Sequence, residues 1–342
     1  MVDQSGGFSP SEEMRRDALR YADLVESVVQ EAAEVVSGVE GTDPQVLFPL
    51  PGEKRDEDPG FELDESQETQ LRELASKLGF GRETDRTPEM AGLSVGYDAI
   101  IEGGQPHKVE AERRLVAATA GRLIFCGSPN RKITADAERQ SAAHVLTNLR
   151  RESGVEDATI GDEVSEYDVI RQIAEAQPGF VPQADEDLGY GYDINARNLV
   201  LPVDGSGQFK QIGHIASQFG DAPVIMMRID REDYTDAEGK PRYRNQPDSA
   251  AVVRIVSDVT RMQGDIETPI AFVTSATYEP SRAVDGYRAG ITTDREVKVV
   301  TYGTSALAAV RGEDPVPASI TQLPGELRRA YDQTQQLRTE LA

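Results

Sequence analysis

Apolar positions along this chain follow two different rhythms. From Met14 to Val35 they recur at alternating spacings of four and three, through Ala18, Tyr21, Val25, Val28 and Ala32. That spacing puts them on one stripe of a helix. Ser9, Pro10 and Glu12 supply an N-cap, a proline at the first helical position and a glutamate three residues after the cap. A helix is therefore predicted to about Ser37. Its stripe must pack on something, either its own domain or the same stripe of a second copy in a homodimer. A second helix, about Glu65 to Leu78, aligns Leu71, Leu74 and Leu78 and stops at Gly79 and Gly81. A last one, about Pro324 to Leu341, aligns Leu327, Ala330, Leu337 and Leu341.

From Ser94 onward the rhythm changes. Short, nearly all-apolar runs at Tyr97–Glu102, Arg122–Cys126, Asn198–Val203, Pro223–Ile229, Ile270–Ser275 and Val297–Thr301 predict strands covered on both faces. Between them, helical patterns fall at Val109–Ala118, Ala135–Arg151, Ser165–Ala176, Gln211–Phe219, Ser249–Met262 and Ser281–Ala289. This alternation predicts an α/β protein with a mostly parallel sheet and helices on both faces. The expected organisation is an N-terminal helix in 1–40, an acidic, proline-containing linker or loop in 41–68, and a helical connector in 69–93. The α/β domain follows in 94–323, and the C-terminal helix, 324–342, packs on the core. The linker holds Pro44, Pro49, Pro51 and Pro59 beside a dense acidic run, so it is expected to be loop-like and mobile. Asp230 to Asp248 is polar with Gly and Pro and reads as a long loop.

Composition narrows the function classes. With 342 residues the length suggests about two domains of roughly 150 residues. Thirty-six Lys and Arg against 60 Asp and Glu give a net charge of −24, which repels nucleic-acid phosphates and anionic lipid. Neither nucleic acid nor membrane is expected as a partner. Residues 1–40 lack a basic start followed by an apolar run, and no apolar stretch approaches the roughly 20 residues of a membrane helix. A cytoplasmic location is the expectation. The single cysteine, Cys126, excludes an internal disulfide and a cysteine cluster, and three scattered histidines make a zinc site improbable.

In an open parallel sheet ligands bind beyond the carboxyl ends of the strands, where strand order reverses. The residues just after each predicted strand are therefore the candidates. Gly103 and Gly104 let backbone N–H groups approach a phosphate or carboxylate, ahead of a helix that carries Arg113. Gly127, Ser128, Asn130 and Arg131 offer a close backbone, hydroxyl and amide groups, and a guanidinium fork. Thr274, Ser275 and Tyr278 form a hydroxyl-rich loop entering a helix, with Thr277 or Ser281 as its N-cap. Arg282, in that helix's first turn, calls for a bound anion or a carboxylate partner. His107 is the one histidine near this edge. Neither GxGxxG nor GxxxxGK[ST] occurs. The loops after the first, second and penultimate strands are expected to converge on one pocket for a small anionic or nucleotide-like molecule. The rival expectation, that the arginines pair with acidic neighbours such as Glu138 or Glu279, predicts no ligand role for them.

The order of YDAIIEGGQPHKVEAERRL, GRLIFCGSPNRKITADAERQSA, GDEVSEYDVIRQIA and IAFVTSATYEPSRAVDGYRAG resembles the YdcF/SanA/ElyC family over about residues 94–310, with a large insertion near 180–260. The resemblance implies a Rossmann-like core. It also implies site residues at Gly103, Gly104 and Arg113, at Gly127, Ser128 and Glu138, and at Thr274, Ser275 and Arg282. S-adenosylmethionine is the ligand suggested for the soluble branch. The Thr and Asn usual in the third motif are not evident here, and Tyr278 stands nearest the usual His. FCGS before a helix is also similar to the turn of lysine-decarboxylase-like phosphoribohydrolases, which would make the protein a nucleotide-processing hydrolase or transferase. No PGGxGT segment accompanies it. A non-catalytic interaction protein using the N-terminal stripe is the alternative from another class.

Overall fold

The computed structural model describes residues 12–48, 63–94, 96–152, 160–161, 164–183, 193–194, 199–200, 209–218, 220–229, 231–235, 241–245, 249–265 and 267–342. In chain order the N-terminal helices are α1 (Glu12–Ser37), α2 (Pro44–Leu47) and α3 (Glu65–Ser76). The sheet then begins with β1 (Asp98–Ile101), α4 (Pro106–Val116), β2 (Arg122–Gly127), α5 (Asp136–Glu152) and α6 (Glu166–Glu175). Short strands β3 (Phe180–Pro182), β4 (Asp193–Ile194), β5 (Leu199–Val200) and β6 (Gly213–Ser217) precede the long β7 (Gly220–Ile229). A hairpin, β8 (Arg231–Thr235) and β9 (Pro241–Asn245), leads to α7 (Ser249–Met262) and β10 (Ile270–Ser275). The chain closes with α8 (Glu279–Thr293), β11 (Val297–Tyr302), α9 (Thr304–Arg311) and α10 (Leu323–Leu341).

The class is α/β, as the alternation of runs predicts. Among the described residues one nine-stranded mixed sheet runs β11-β10-β1-β2-β7-β5-β4, with β3 and β6 attached beside β7. Its centre is parallel: β11, β10, β1, β2 and β7 all point the same way. β1, β2 and β7 step outward in one direction; the chain then crosses back through α7 to place β10 on the other side of β1. The switch point of strand order therefore lies between β1 and β10, and ligands of such sheets bind outside this junction.

Alternate residues of each central strand serve opposite faces. Ile101, Phe125 and Val273 pack under α4, α5 and α6. Ile100, Ile124 and Phe272 pack against α7. A third core lies outside the sheet, where α1 and α3 meet α8 and α10 through Ala18, Ala22, Val25, Leu71, Leu74, Val284, Leu327 and Leu337. The α1 stripe is thus covered within its own chain. This is the docked-helix reading of that stripe.

Several expectations need correction. Gln211–Phe219 was expected to be helical, yet Gly213–Ser217 is β6, antiparallel to β7. Gly213 leaves no room for a Cβ against the Phe180 ring, and that close strand packing overrides a weak helical pattern. Asp230–Asp248 is not a plain loop, because β8 and β9 pair antiparallel within it. Of the predicted strand Asn198–Val203, β5 keeps two residues on the outer edge of β7; residues 198 and 201–203 lie outside the described residues. In the linker, Asp43 caps the short α2 by accepting from Gln45 N. Residues 49–62, which hold most of its prolines and acidic run, lie outside the described residues.

Candidate ligand site at the carboxyl edge of the sheet

The loops after β1, β2 and β10 do share one edge, since their strands are parallel and adjacent. Most of that edge is covered by the chain itself. At the β1–β2 end, α6 sits on the turn. A Cβ on Gly103 would lie 2.4 Å from the Cys126 carbonyl oxygen, and one on Gly127 would lie 2.9 Å from the Tyr167 Cα. These glycines are required by close chain packing, which is a different use from the phosphate cradle the sequence suggests. Ser128 N–H donates to Glu166 Oε2 at 3.1 Å, and the Ser128 hydroxyl donates to Asn130 Oδ1 at 2.6 Å. Arg131 spans Glu138, at 2.7 Å, and Glu166. The rival expectation holds for Arg131: carboxylates of its own chain take its fork. Burial acts against charge on both Arg131 and Glu166. The two carboxylates nevertheless keep the arginine charged, while Glu166 is pushed up by its burial.

The β10–β11 end is covered by residues 79–86. Gly81 N–H donates to the Ala276 carbonyl at 3.0 Å, Gly303 N–H to Asp85 Oδ1 at 2.7 Å, and Arg86 pairs with Thr301 as a β-bridge. Arg82 and Arg86 reach Glu279 at 3.2 and 3.5 Å, so Glu279 is not the partner of Arg282. The N-cap of α8 is Tyr278, not Thr277 or Ser281, and it makes no side-chain cap bond. Instead Glu326 of α10 accepts from the Ser281 N–H at 2.9 Å, placing a carboxylate of the same chain at that helix end.

Between these covers lies the β1–β10 junction, and here the polar groups are of another kind. Glu102, just past β1, accepts from the Ser249 hydroxyl at 2.8 Å and pairs with Arg282 at 3.0 Å across the switch point. Arg282 also meets Asp285 at 3.3 Å and lies 5.7 Å from the Phe272 ring centroid. Its place in the first turn of α8 is thus explained by carboxylate partners. Burial opposes its charge, but Glu102, Asp285 and Glu326 outweigh that and raise its pKa. Ser275 and Tyr302 are register neighbours on β10 and β11. Gly104 opens onto Lys108, with nothing nearer than 4.0 Å to a Cβ built there. The Lys108 ammonium sits 5.1 Å from the Tyr278 ring centroid.

Glu112, one turn further along α4, is 5% exposed, and its Oε2 has no hydrogen-bond partner. Burial, reinforced by Glu102, pushes its carboxyl well above the ordinary range against the pull of Lys108 and Arg282. Sequence reasoning missed Glu102, Lys108, Glu112 and Tyr302. The signal for Glu112 was available: an acidic residue four positions after Lys108 on a helix that opens at a strand end.

Arg113 falls in the last turn of α4 and pairs with Glu110, away from the junction. His107 is structural. Arg311 donates to its Nε2 at 2.8 Å, which makes Nδ1 the protonated nitrogen facing Ser141 Oγ at 2.6 Å. Its pKa drops to about 3 through burial, helped by Arg311 and Lys108. His214 lies in β6, not near a helix start. Cys126 is fully buried, 3.8 Å from Met227 Sδ, and burial raises its thiol well above the usual range, so it is inert. Among the described residues no cluster of metal-ligating side chains occurs. No helix there is long and apolar enough to cross a membrane.

Comparison with protein-family models, curated proteins and solved structures found no match to this chain.

Proposed function

We propose that the β1–β10 junction binds a small nucleotide-like or anionic ligand, in a protein working in the cytoplasm. One observation carries this reading. At the switch point, where such sheets bind ligands, a carboxyl and two hydroxyls are buried without hydrogen-bond partners, although burying such groups unpaired costs about 1–3 kcal/mol each. Elsewhere on the same edge the polar groups described above are joined to one another. Lys108 supplies the cation for an anionic group, and Glu102 an acceptor for hydroxyl or amino groups. Arg131 plays no part, because two carboxylates hold it. The resemblance in motif order makes S-adenosylmethionine the first ligand to try, followed by common nucleotides. No reaction is assigned. The alternative of an interaction protein built on the α1 stripe is disfavoured, since Ala18, Ala22, Val25 and Val28 are already buried in the chain.

The test is a thermal-shift screen with S-adenosylmethionine and nucleotides, followed by titration of any hit. A ligand at 100 times its Kd should stabilise by about 2.7 kcal/mol. The same ligand should lose roughly tenfold in affinity in Lys108→Ala and in Glu102→Gln, and be unchanged in Arg131→Ala. A hit whose affinity depends on Arg131 and not on Lys108 or Glu102 would place the site elsewhere.

A further inference from the structure

The α4-facing side of the junction has a chemical bias that narrows the ligand. Ser275 and Tyr302 lie side by side, and both point to the sheet face that α4 covers, as do Val273 and Val300. Tyr302 is 1% exposed and Ser275 7%. The Ser275 hydroxyl is close enough to act on the Tyr302 phenol, but no hydrogen bond of normal geometry joins them or engages either with another group. Glu112 faces the same place from α4, near enough to raise the phenol's pKa.

The charged and titratable groups that act on Glu112 include Glu102 after β1, the Cys126 thiol of β2, Lys108 of α4 itself, Arg282 of α8 and Tyr302 of β11, and Tyr278 and Arg311 act on the same Tyr302 phenol. α5, α6 and α9 meet α4 through other residues, as in His107 with Ser141, Glu110 with Gln177 of the α6 end, and His107 with Arg311. None of the ion pairs among the described residues involves Glu112. A carboxyl in such surroundings holds its proton and becomes an O–H donor. Its O–H and the two hydroxyls then offer three donors on the same side of the sheet.

Resting on the proposed ligand site, we infer that Glu112, Ser275 and Tyr302 form a donor pocket for one oxygen of an oxyanionic ligand group, a carboxylate or phosphoryl oxygen, with Glu112 entering as the neutral acid. Three O–H donors would hold such an oxygen by charge-assisted hydrogen bonds. An ionised Glu112 would repel it, so binding is coupled to the proton on Glu112. The chemistry disfavours a cationic ligand group such as an ammonium at this spot.

The experiment has two arms. In the first, without ligand, thermal stability of the parent and Glu112→Gln is followed from pH 5 to pH 9. The neutral glutamine mimics the protonated acid, so the variants should match at pH 5. As pH rises the parent alone must give up the proton, and Glu112→Gln should become the more stable of the two. A glutamine variant that is less stable across the whole range would show an ionised, partnered Glu112 and overturn the inference.

In the second arm, acetate, inorganic phosphate and S-adenosylmethionine are titrated into the parent, Glu112→Gln and Tyr302→Phe at pH 6 and pH 8.5. Parent affinity for at least one probe should fall about tenfold or more between the two pH values. The fall should be absent in Glu112→Gln, and Tyr302→Phe should bind about tenfold more weakly at both. Binding that is independent of pH and of both substitutions overturns the donor pocket and leaves the ligand site standing. Absence of binding by all three probes overturns the pocket, and the broader nucleotide screen then decides the site separately.

Discussion

Strand β1 has two neighbours, and its carboxyl end meets them in opposite ways. Toward β2 the chain closes on itself: Gly103 and Gly127 bring two turns into contact under α6, and Arg131 is clamped by Glu138 and Glu166. Toward β10 a larger set of polar groups gathers, with Arg282 and Glu102 paired but Glu112, Ser275 and Tyr302 buried and unjoined. Both junctions carry the residue types that suggest ligand binding. The difference lies in whether the chain supplies the partners. Where it does, glycine and arginine are structural; where it does not, buried polar groups are left without partners. A residue type after a strand is therefore weaker evidence than the state of its hydrogen bonds.

Substitutions can break or sharpen this contrast. The largest effect is expected at the closed junction. Gly103→Ala forces a Cβ to 2.4 Å from a backbone carbonyl that cannot move aside, so unfolding free energy should drop by at least about 3 kcal/mol. Gly104→Ala, one residue on, meets only the Lys108 Cδ at 4.0 Å and should cost no more than about 0.5 kcal/mol. Equal losses in denaturant titrations of the two would dissolve the contrast between the junctions.

Next comes Arg131→Ala, which strands the buried Glu166 and is expected to cost about 3 kcal/mol without changing affinity for any ligand. Chemical denaturation and titration together check both halves of that statement.

The amino end of β1 offers a third point of reference. Asp98 is buried there between Arg122 and Arg295, each at 3.3 Å, and burial raises its pKa to about 6 despite both arginines. A carboxyl with a raised folded pKa adds stability below its unfolded value, near 3.8, and loses that addition as pH rises through about 6. From pH 4 to pH 7 the parent should therefore lose roughly 2–3 kcal/mol relative to its own low-pH advantage over Asp98→Asn. A flat difference between the two proteins across that range would place the Asp98 pKa in the ordinary region.

The smallest stability effect is expected for Lys108→Ala, within about 0.5 kcal/mol, because its ammonium rests on the Tyr278 ring at the surface of the site. Its loss should appear in ligand affinity alone. A large destabilisation would make Lys108 a structural cation like Arg131 and weaken the case for the open junction.

Much of the fold was legible along the chain. Periodicity marks α1 through Ser37, α7 from Ser249 to Met262 and β10 from Ile270 to Ser275, because each has a long, uniform apolar pattern. It fails at Gly213–Ser217, a short half-polar run whose strand form comes from pairing with β7, and at β8 and β9, where polar residues hide a hairpin. Of the candidate site, Gly104, Thr274, Ser275, Tyr278 and Arg282 fall at the switch point or on its rim. Arg113 does not, and Gly103, Gly127, Ser128, Asn130, Arg131 and Glu138 belong to the closed junction. Glu102, Lys108 and Tyr302 could be weighed only once their neighbours were known, whereas Glu112 left a signal in the chain, four positions after Lys108 on a helix that opens at a strand end.

What the sequence alone determined, then, is the class of fold, the strand ends that share one edge of the sheet, and the loops that reach it. Apolar period and strand-to-helix alternation are local properties, and local patterns suffice for them. The tertiary structure decided which polar groups of that edge find partners within the chain and which do not. That choice depends on long-range partners: Glu166 for Arg131, Glu326 for the start of α8, and residues 79–86 over β10 and β11. A hydrogen bond or ion pair spanning scores of residues leaves no periodic trace, so only the folded chain shows which polar groups it has satisfied and which it has not.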